Sequence, residues 1–212
     1  MEDDGEETKA YTIDNFPIIE QLPELPTGCE ITALTMVLNY YGFSADKVQM
    51  ATEYLPVLDS AETYVGSDDR TYGNDLNQYF IGDPTTENGF VCGTGAIVSA
   101  ANGFLSEQGS SIYAEDKTGI SLEELYQLIN ENTPVVVWCT IGMGDRWETE
   151  GWYTEAGDYV EWSMNDHGAV LVGYDSEEVV IADPLAGLMR YSRQQFESVF
   201  EARGNKCVVL IS

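Results

Sequence analysis

The apolar pattern of this chain changes period once, near residue 133, and that switch restricts the folds open to it more than any other feature. Upstream, apolar residues recur at helical spacing, as in Ile31, Leu34, Leu38 and Tyr41, or in Ala96, Ile97, Ala100, Ala101, Phe104 and Leu105. Downstream, β-rich runs occupy 134–141, 168–174, 177–183 and 206–211, interrupted by one helix that Ser192 and Gln195 cap. Helices first and strands second exclude alternating βαβ units, in which the two would take turns. The order predicts an α+β domain with N-terminal helices packed on a C-terminal antiparallel β-sheet.

Local signals set the boundaries. Thr27 and Glu30 give the T-x-x-E pattern of a capping box and Gly42 supplies a stop, which predicts a helix over about 27–41. Further helices are expected from Ser44 to about Leu55, from Thr94 to Gly109, and through Leu122, Leu125 and Ile129 behind a second capping box made by Ser121 and Glu124. Residues 59–90 have little periodicity and many turn formers, so they read as a long surface excursion. A short turn at Asp175 and Ser176 predicts a hairpin in which Gly168 faces Asp183 and His167 lies one step away. No linker divides the chain, so one domain is expected over 15–212 behind a flexible acidic tail at 1–14.

Charge excludes several functions. Thirty-seven Asp and Glu against nine Lys and Arg give a formal charge of -28, which repels nucleic-acid backbones and anionic membrane surfaces and leaves neutral or cationic partners. Every apolar run is far shorter than the roughly 20 residues of a membrane-spanning helix. The opening MEDDGEETKAYTIDNF lacks a positive region followed by an apolar one, so no signal peptide is expected in this chain.

The chain has a single histidine, His167, so any Cys/His chemistry has its base identified. Cys29 falls at the second helical position behind Thr27, where free N–H groups and the helix dipole favour a thiolate. Asp183, across the hairpin, is in position to fix the imidazole tautomer, and Gln21, upstream of Cys29, to donate to an oxyanion. Cys92 is a competing thiol ahead of the third helix, with a poorer cap, while Cys139 and Cys207 read as core residues. With no CxxC or Cys/His pairing, zinc is not expected. The acidic run SDDRTYGND at 67–75 lacks calcium-loop spacing around Asp68, Asp69 and Asp75 and reads as solvated.

The segments QLPELPTGCEITALTMVLNYYGF, IGDPTTENGFVCG, PVVVW, HGAVLVGYD and VVIADPLAG resemble papain-like cysteine peptidases of the double-glycine, bacteriocin-processing type, over about residues 15–211. The likeness is nearest the stand-alone secreted branch. It implies a papain-like fold with Cys29 as nucleophile, His167 as general base, Asp183 as orienter and Gln21 as oxyanion donor, acting on peptide bonds through an acyl-enzyme without metal or organic cofactor. A bacterial cell exterior is the implied location, which the acidic, Lys-poor surface also favours; a cytoplasmic site is the alternative. The transporter-attached members carry a D-C-G type sequence at the nucleophile where this chain has G-C-E, so a double-glycine leader is not implied as substrate. An acyltransferase or deamidase on the same site, and a catalytically silent binding module, are the other readings.

One further expectation concerns the substrate. The stretch from Gly142 to Asp166 interleaves Trp147, Trp152 and Trp162 with seven carboxylates and leads directly into His167. Exposed there, the aromatics would form a cleft wall selecting basic or aromatic side chains.

Overall fold

The structure, a computed structural model, describes residues 10–212; residues 1–9 of the expected tail lie outside it. In chain order the elements begin with β1 (Tyr11–Thr12), α1 (Cys29–Tyr40), and α2 (Lys47–Gln49), which runs on into a π-turn at Met50–Tyr54. Short strands β2 (Val57–Leu58), β3 (Tyr64–Val65), β4 (Thr71–Tyr72) and β5 (Phe80–Ile81) precede α3 (Thr94–Glu107), β6 (Tyr113–Asp116), α4 (Leu122–Asn130) and β7 (Val135–Thr140). Then come β8 (Trp152–Tyr153), β9 (Tyr159–Val160), β10 (Asp166–Tyr174), β11 (Glu178–Asp183), β12 (Gly187–Ser192), α5 (Arg193–Ala202) and β13 (Cys207–Ile211).

Seven strands make an antiparallel sheet in the order β12-β11-β10-β7-β13-β6, with β1 added to β10. This is the α+β arrangement that the segregated pattern predicts. Every residue of β7 and β10 is buried, which accounts for their unbroken apolar runs: strands covered on both faces have no solvent side to keep polar. Helix α1 packs on β10, β7 and α3, and α5 packs on β7, β11 and β12. Among the described residues no helix is long and apolar enough to cross a membrane.

Several boundaries differ from expectation. The tail ends before residue 14, because Tyr11 pairs with Tyr174 and stacks on its ring, and Ile13 is buried behind it. Ser121 and Glu124 do form a capping box, and Ser192 does cap α5. Thr27 does not cap α1: the helix starts two residues later behind Gly28, and the Thr27 hydroxyl donates instead to the Thr86 carbonyl at 3.0 Å. The expected helix from Ser44 begins at Lys47, where the Asp46 carboxylate accepts from the N–H groups of Val48 and Gln49. At its far end α1 stops where Gly42 takes φ 89°, a backbone conformation that suits glycine.

The excursion at 59–90 is not a bare loop. Strands β3 and β4 join β8 and β9 in a four-stranded sheet, so this segment pairs with the one that leads to His167. A second apolar cluster of Leu76, Ile81, Val91, Trp152 and Val160 lies between them. The acidic run at 67–75 supplies most of the β3–β4 turn and continues through β4, with Asp68 accepting from the Tyr72 hydroxyl at 2.9 Å.

Candidate active site

The register of the β10–β11 hairpin decides how His167 meets Asp183. Its turn lies one residue later than expected: the Asp175 N–H donates to the Glu178 carbonyl at 2.8 Å, leaving Ser176 and Glu177 at the tip. Tyr174 faces Val179 and Gly173 faces Val180, but Leu171 then faces Ile181, so Val172 is an extra residue in a bulge. Beyond the bulge Val170 faces Ala182, and the same register carries Asp183 opposite Ala169 rather than Gly168. Ala169 and His167 share a face of the strand, so Asp183 lies on that face too. The register expected from spacing would have set the two side chains on opposite faces.

The outcome is a buried contact of 2.8 Å between His167 Nε2 and Asp183 Oδ1. Asp183 Oδ1 also accepts from the backbone N–H of Leu185 at 2.7 Å and of Ala186 at 3.3 Å. Burial pushes the Asp183 carboxyl up, yet the His167 bond and these N–H groups outweigh it and hold it below its ordinary value. A carboxylate there requires the hydrogen on Nε2, which leaves Nδ1 of the neutral ring as an acceptor. Nδ1 is buried and has no hydrogen-bond partner among the described residues.

Cys29 is the first residue of α1, and its approach to β10 depends on a missing side chain. A Cβ on Gly168 would lie 2.7 Å from Glu30 Cα and 2.8 Å from Glu30 Cγ, so only glycine next to His167 lets the helix start come this close. The thiol does not have the lowered pKa expected of a helix start. Burial first, and then the Glu30 charge, push the Cys29 thiol well above its ordinary value, against an opposing backbone N–H from Gly168. Its Sγ lies 3.2 Å from Glu30 Oε2, while Glu30 Oε1 accepts from the Cys92 N–H at 3.3 Å. Cys92 is held in turn by Trp138, whose Nε1 donates to its carbonyl at 2.8 Å. Burial raises the Cys92 thiol as well, and the four cysteines are all free and buried.

Cys29, His167 and Gln21 all line one cavity of about 280 Å³. Both hydrogens of the Gln21 amide are engaged, by the Leu25 and Pro26 carbonyls at 3.0 Å each, so in this state the amide does not face an oxyanion position. Of the three tryptophans expected in the wall, only Trp162 lines the cavity. Trp152 is buried in the second apolar cluster with Nε1 bound to the Asn74 carbonyl, and Trp147, though exposed, lies off the lining. Phe90, Ile141, Met164 and Leu185 complete an apolar rim.

Two features were absent from the expectations. Glu30 read as a capping residue, because T-x-x-E is the same string whether the glutamate turns back to the cap or inward to the sheet. Asp166, beside His167, makes a buried ion pair with Arg203, Oδ2 to Nη2 at 2.7 Å, between residues too far apart in sequence for spacing to signal it. Burial raises the Asp166 carboxyl in spite of that partner.

Comparison with known proteins adds to this geometry. A model of the Peptidase_C39 like family matches residues 13–208. The chain is 29% identical over 189 residues to the uncharacterized protein YvpB of Bacillus subtilis (strain 168), covering 89% of this chain and 70% of that one. The crystal structure of a protein described as a C39-like peptidase from Bacillus anthracis superimposes with a TM-score of 0.81 at 31% identity, covering 96% of this chain and 98% of the other.

Proposed function

This chain belongs to the Peptidase_C39 like family, and from that membership we propose that it hydrolyses peptide amide bonds with Cys29 as nucleophile, His167 as base and Asp183 as orienter. The observation that carries the reading is the buried His167–Asp183 contact of 2.8 Å, with His167 lining the same cavity as Cys29. In this mechanism Nδ1 of His167 takes the Cys29 proton, and the thiolate attacks the substrate carbonyl carbon. Asp183 keeps the hydrogen on Nε2 and stabilises the imidazolium. The imidazolium then gives its proton to the leaving amine, an acyl-enzyme forms on Sγ, and water released by the same base hydrolyses it. The first N–H groups of a helix have no partner within it, so the Cys29 N–H meets the oxyanion. Gln21 joins it by turning one amide hydrogen away from the carbonyls it now holds. With an amine or a side-chain amide in place of water or the peptide, the same steps give acyl transfer or deamidation.

The rim of Phe90, Ile141, Trp162, Met164 and Leu185 supports a peptide with a neutral, apolar side chain beside the scissile bond. The surface charge of -28 disfavours acidic peptides at longer range. The test is a panel of fluorogenic peptides carrying Leu, Phe, Lys or Glu next to the cleaved bond, read with the wild type and Cys29→Ala. Turnover of the Leu and Phe peptides, lost in Cys29→Ala, with an acyl adduct on Cys29 by mass spectrometry, is expected. Absence of both turnover and adduct across the panel would refute hydrolysis and leave a binding module.

A further inference from the structure

Glu30 is a buried carboxylate to which the peptidase mechanism gives no task. It is 1% exposed, and among the described residues no Lys or Arg pairs with it. Such a group is costly to bury unless something polar holds it. Here that is the Cys92 N–H, at 3.3 Å, and the Cys29 thiol, at 3.2 Å. The S–H proton of Cys29 is therefore directed at Glu30, while the ring nitrogen meant to receive it, His167 Nδ1, has no hydrogen-bond partner among the described residues. Cys29 and His167 line the same cavity, yet in this state the thiol is given to the carboxylate.

We propose that Glu30 is a positioning residue for the Cys29 nucleophile: its carboxylate holds the thiol protonated and away from His167, and proton uptake by Glu30 releases the sulfur to the imidazole. The proposal rests on the peptidase reading of Cys29 and His167. In the release step the S–H proton passes to His167 Nδ1, giving thiolate and imidazolium, and a proton from water neutralises Glu30. The site as a whole gains one proton, so acidification drives the step. The groups around Glu30 agree in sign. Cys29 beside it, Cys92 ahead of α3, Cys139 on β7 and Asp166 on β10 are neutral or negative, and the Arg203 guanidinium is spent on Asp166. Burial, with a smaller push from Asp166, raises the Glu30 carboxyl to about 7, within reach of ordinary pH change. The Asp183 carboxylate faces the far side of the His167 ring and stabilises the imidazolium that the release step creates.

The test follows alkylation of Cys29 by limiting iodoacetamide, mapped by peptide mass spectrometry, on the full chain. An ordinary thiol below its pKa gains about tenfold in rate per pH unit, or about 100-fold from about pH 6 to about pH 8. The wild type should instead slow across that interval and rise again only under more alkaline conditions. In Glu30→Gln the fall should vanish, with Cys29 reacting at least about tenfold faster than the wild type near pH 8. Adding His167→Ala to Glu30→Gln should abolish that gain. A wild-type profile that rises like an ordinary thiol, or stays level, overturns the proposal without any variant, as does a folded Glu30→Gln that reacts no faster near pH 8. If Glu30→Gln gains nothing while His167→Ala alone still slows Cys29, only the role of Glu30 falls. If the gain survives His167→Ala, the Cys/His pairing falls with it.

Discussion

Replacing Gly168 by Ala tests whether the close approach of α1 to β10 is what assembles the site. The added Cβ would sit 2.7 Å from Glu30 Cα, 2.8 Å from Glu30 Cγ and 3.0 Å from Glu30 N. Carbon atoms in contact prefer about 3.5–4.0 Å, so the first turn of α1 must retreat by about 1 Å. Two of those three atoms are backbone, which a rotamer change cannot move. Overpacking of this kind costs about 1–3 kcal/mol, and for a chain of this size that lowers Tm by about 2–12 °C. The larger effect is on chemistry, since a retreat of about 1 Å carries Cys29 away from His167 and costs about 100-fold in turnover. Gly103 supplies the control: it is exposed inside α3, its Cβ would meet only Tyr54 at an ordinary 3.5 Å, and Ala there should stabilise by about 0.5–1 kcal/mol. Thermal melts of both variants, with peptide hydrolysis and Cys29 alkylation alongside, give the comparison. A Gly168→Ala protein as stable and as reactive as the wild type would show that the helix start does not depend on this contact.

Asp183→Asn should fold normally and lose activity, by anything from several-fold to about 10⁴-fold, because Asn can hold the imidazole in the wrong tautomer; steady-state kinetics on the apolar peptides measures it. Trp138→Phe leaves the buried Cys92 carbonyl without its donor and should cost about 1–3 kcal/mol in urea unfolding. Glu30 carries a pH-dependent cost. Its carboxyl is raised from 4.5 to about 7 by burial, so the folded state binds the proton more tightly than the unfolded chain. Stability from this group is then greatest below about pH 4.5, is lost as pH rises towards about 7, and is level above, a total of up to about 3 kcal/mol. Glu30→Gln should gain about 2.5 kcal/mol of that relative to the wild type between about pH 5 and about pH 8 in urea melts, and an equal difference at both pH values would contradict the buried charge.

Much of the frame was legible because its signals are local. Ser121 and Glu124 cap α4 by contacts within four residues, and the stretches Val135–Cys139 of β7 and Gly168–Tyr174 of β10 carry no charged residue because both faces are covered. Several misreadings involve partners distant in sequence. Thr27 looked like a cap until residues 83 and 86 supplied carbonyls for its hydroxyl. Strand β12 escaped notice because it alternates half-buried with exposed residues and follows a tight turn with no strong signal. The His167–Asp183 pairing was right in its residues and wrong in its register, since neither the later turn at Ser176–Glu177 nor the bulge at Val172 has a signature in the string. Trp147 and Trp152 were expected in the wall because their stretch leads directly into His167. Which tryptophan faces the cavity depends on pairing with a segment some eighty residues away.

That pairing has a consequence for transplanting specificity between relatives. Tyr72 pairs with Tyr153, Gly73 donates to the Tyr153 carbonyl, and Trp152 reaches the Asn74 carbonyl, so the segment leading to His167 is braced by residues encoded far upstream. Grafting 144–165 alone from another family member would leave β4 without its neighbour and Leu76, Ile81 and Val91 without the Trp152 ring that covers them. The unit of exchange is the pair, 57–91 together with 144–165. A chimera that carries both should keep its melting temperature, and a chimera that carries one should not.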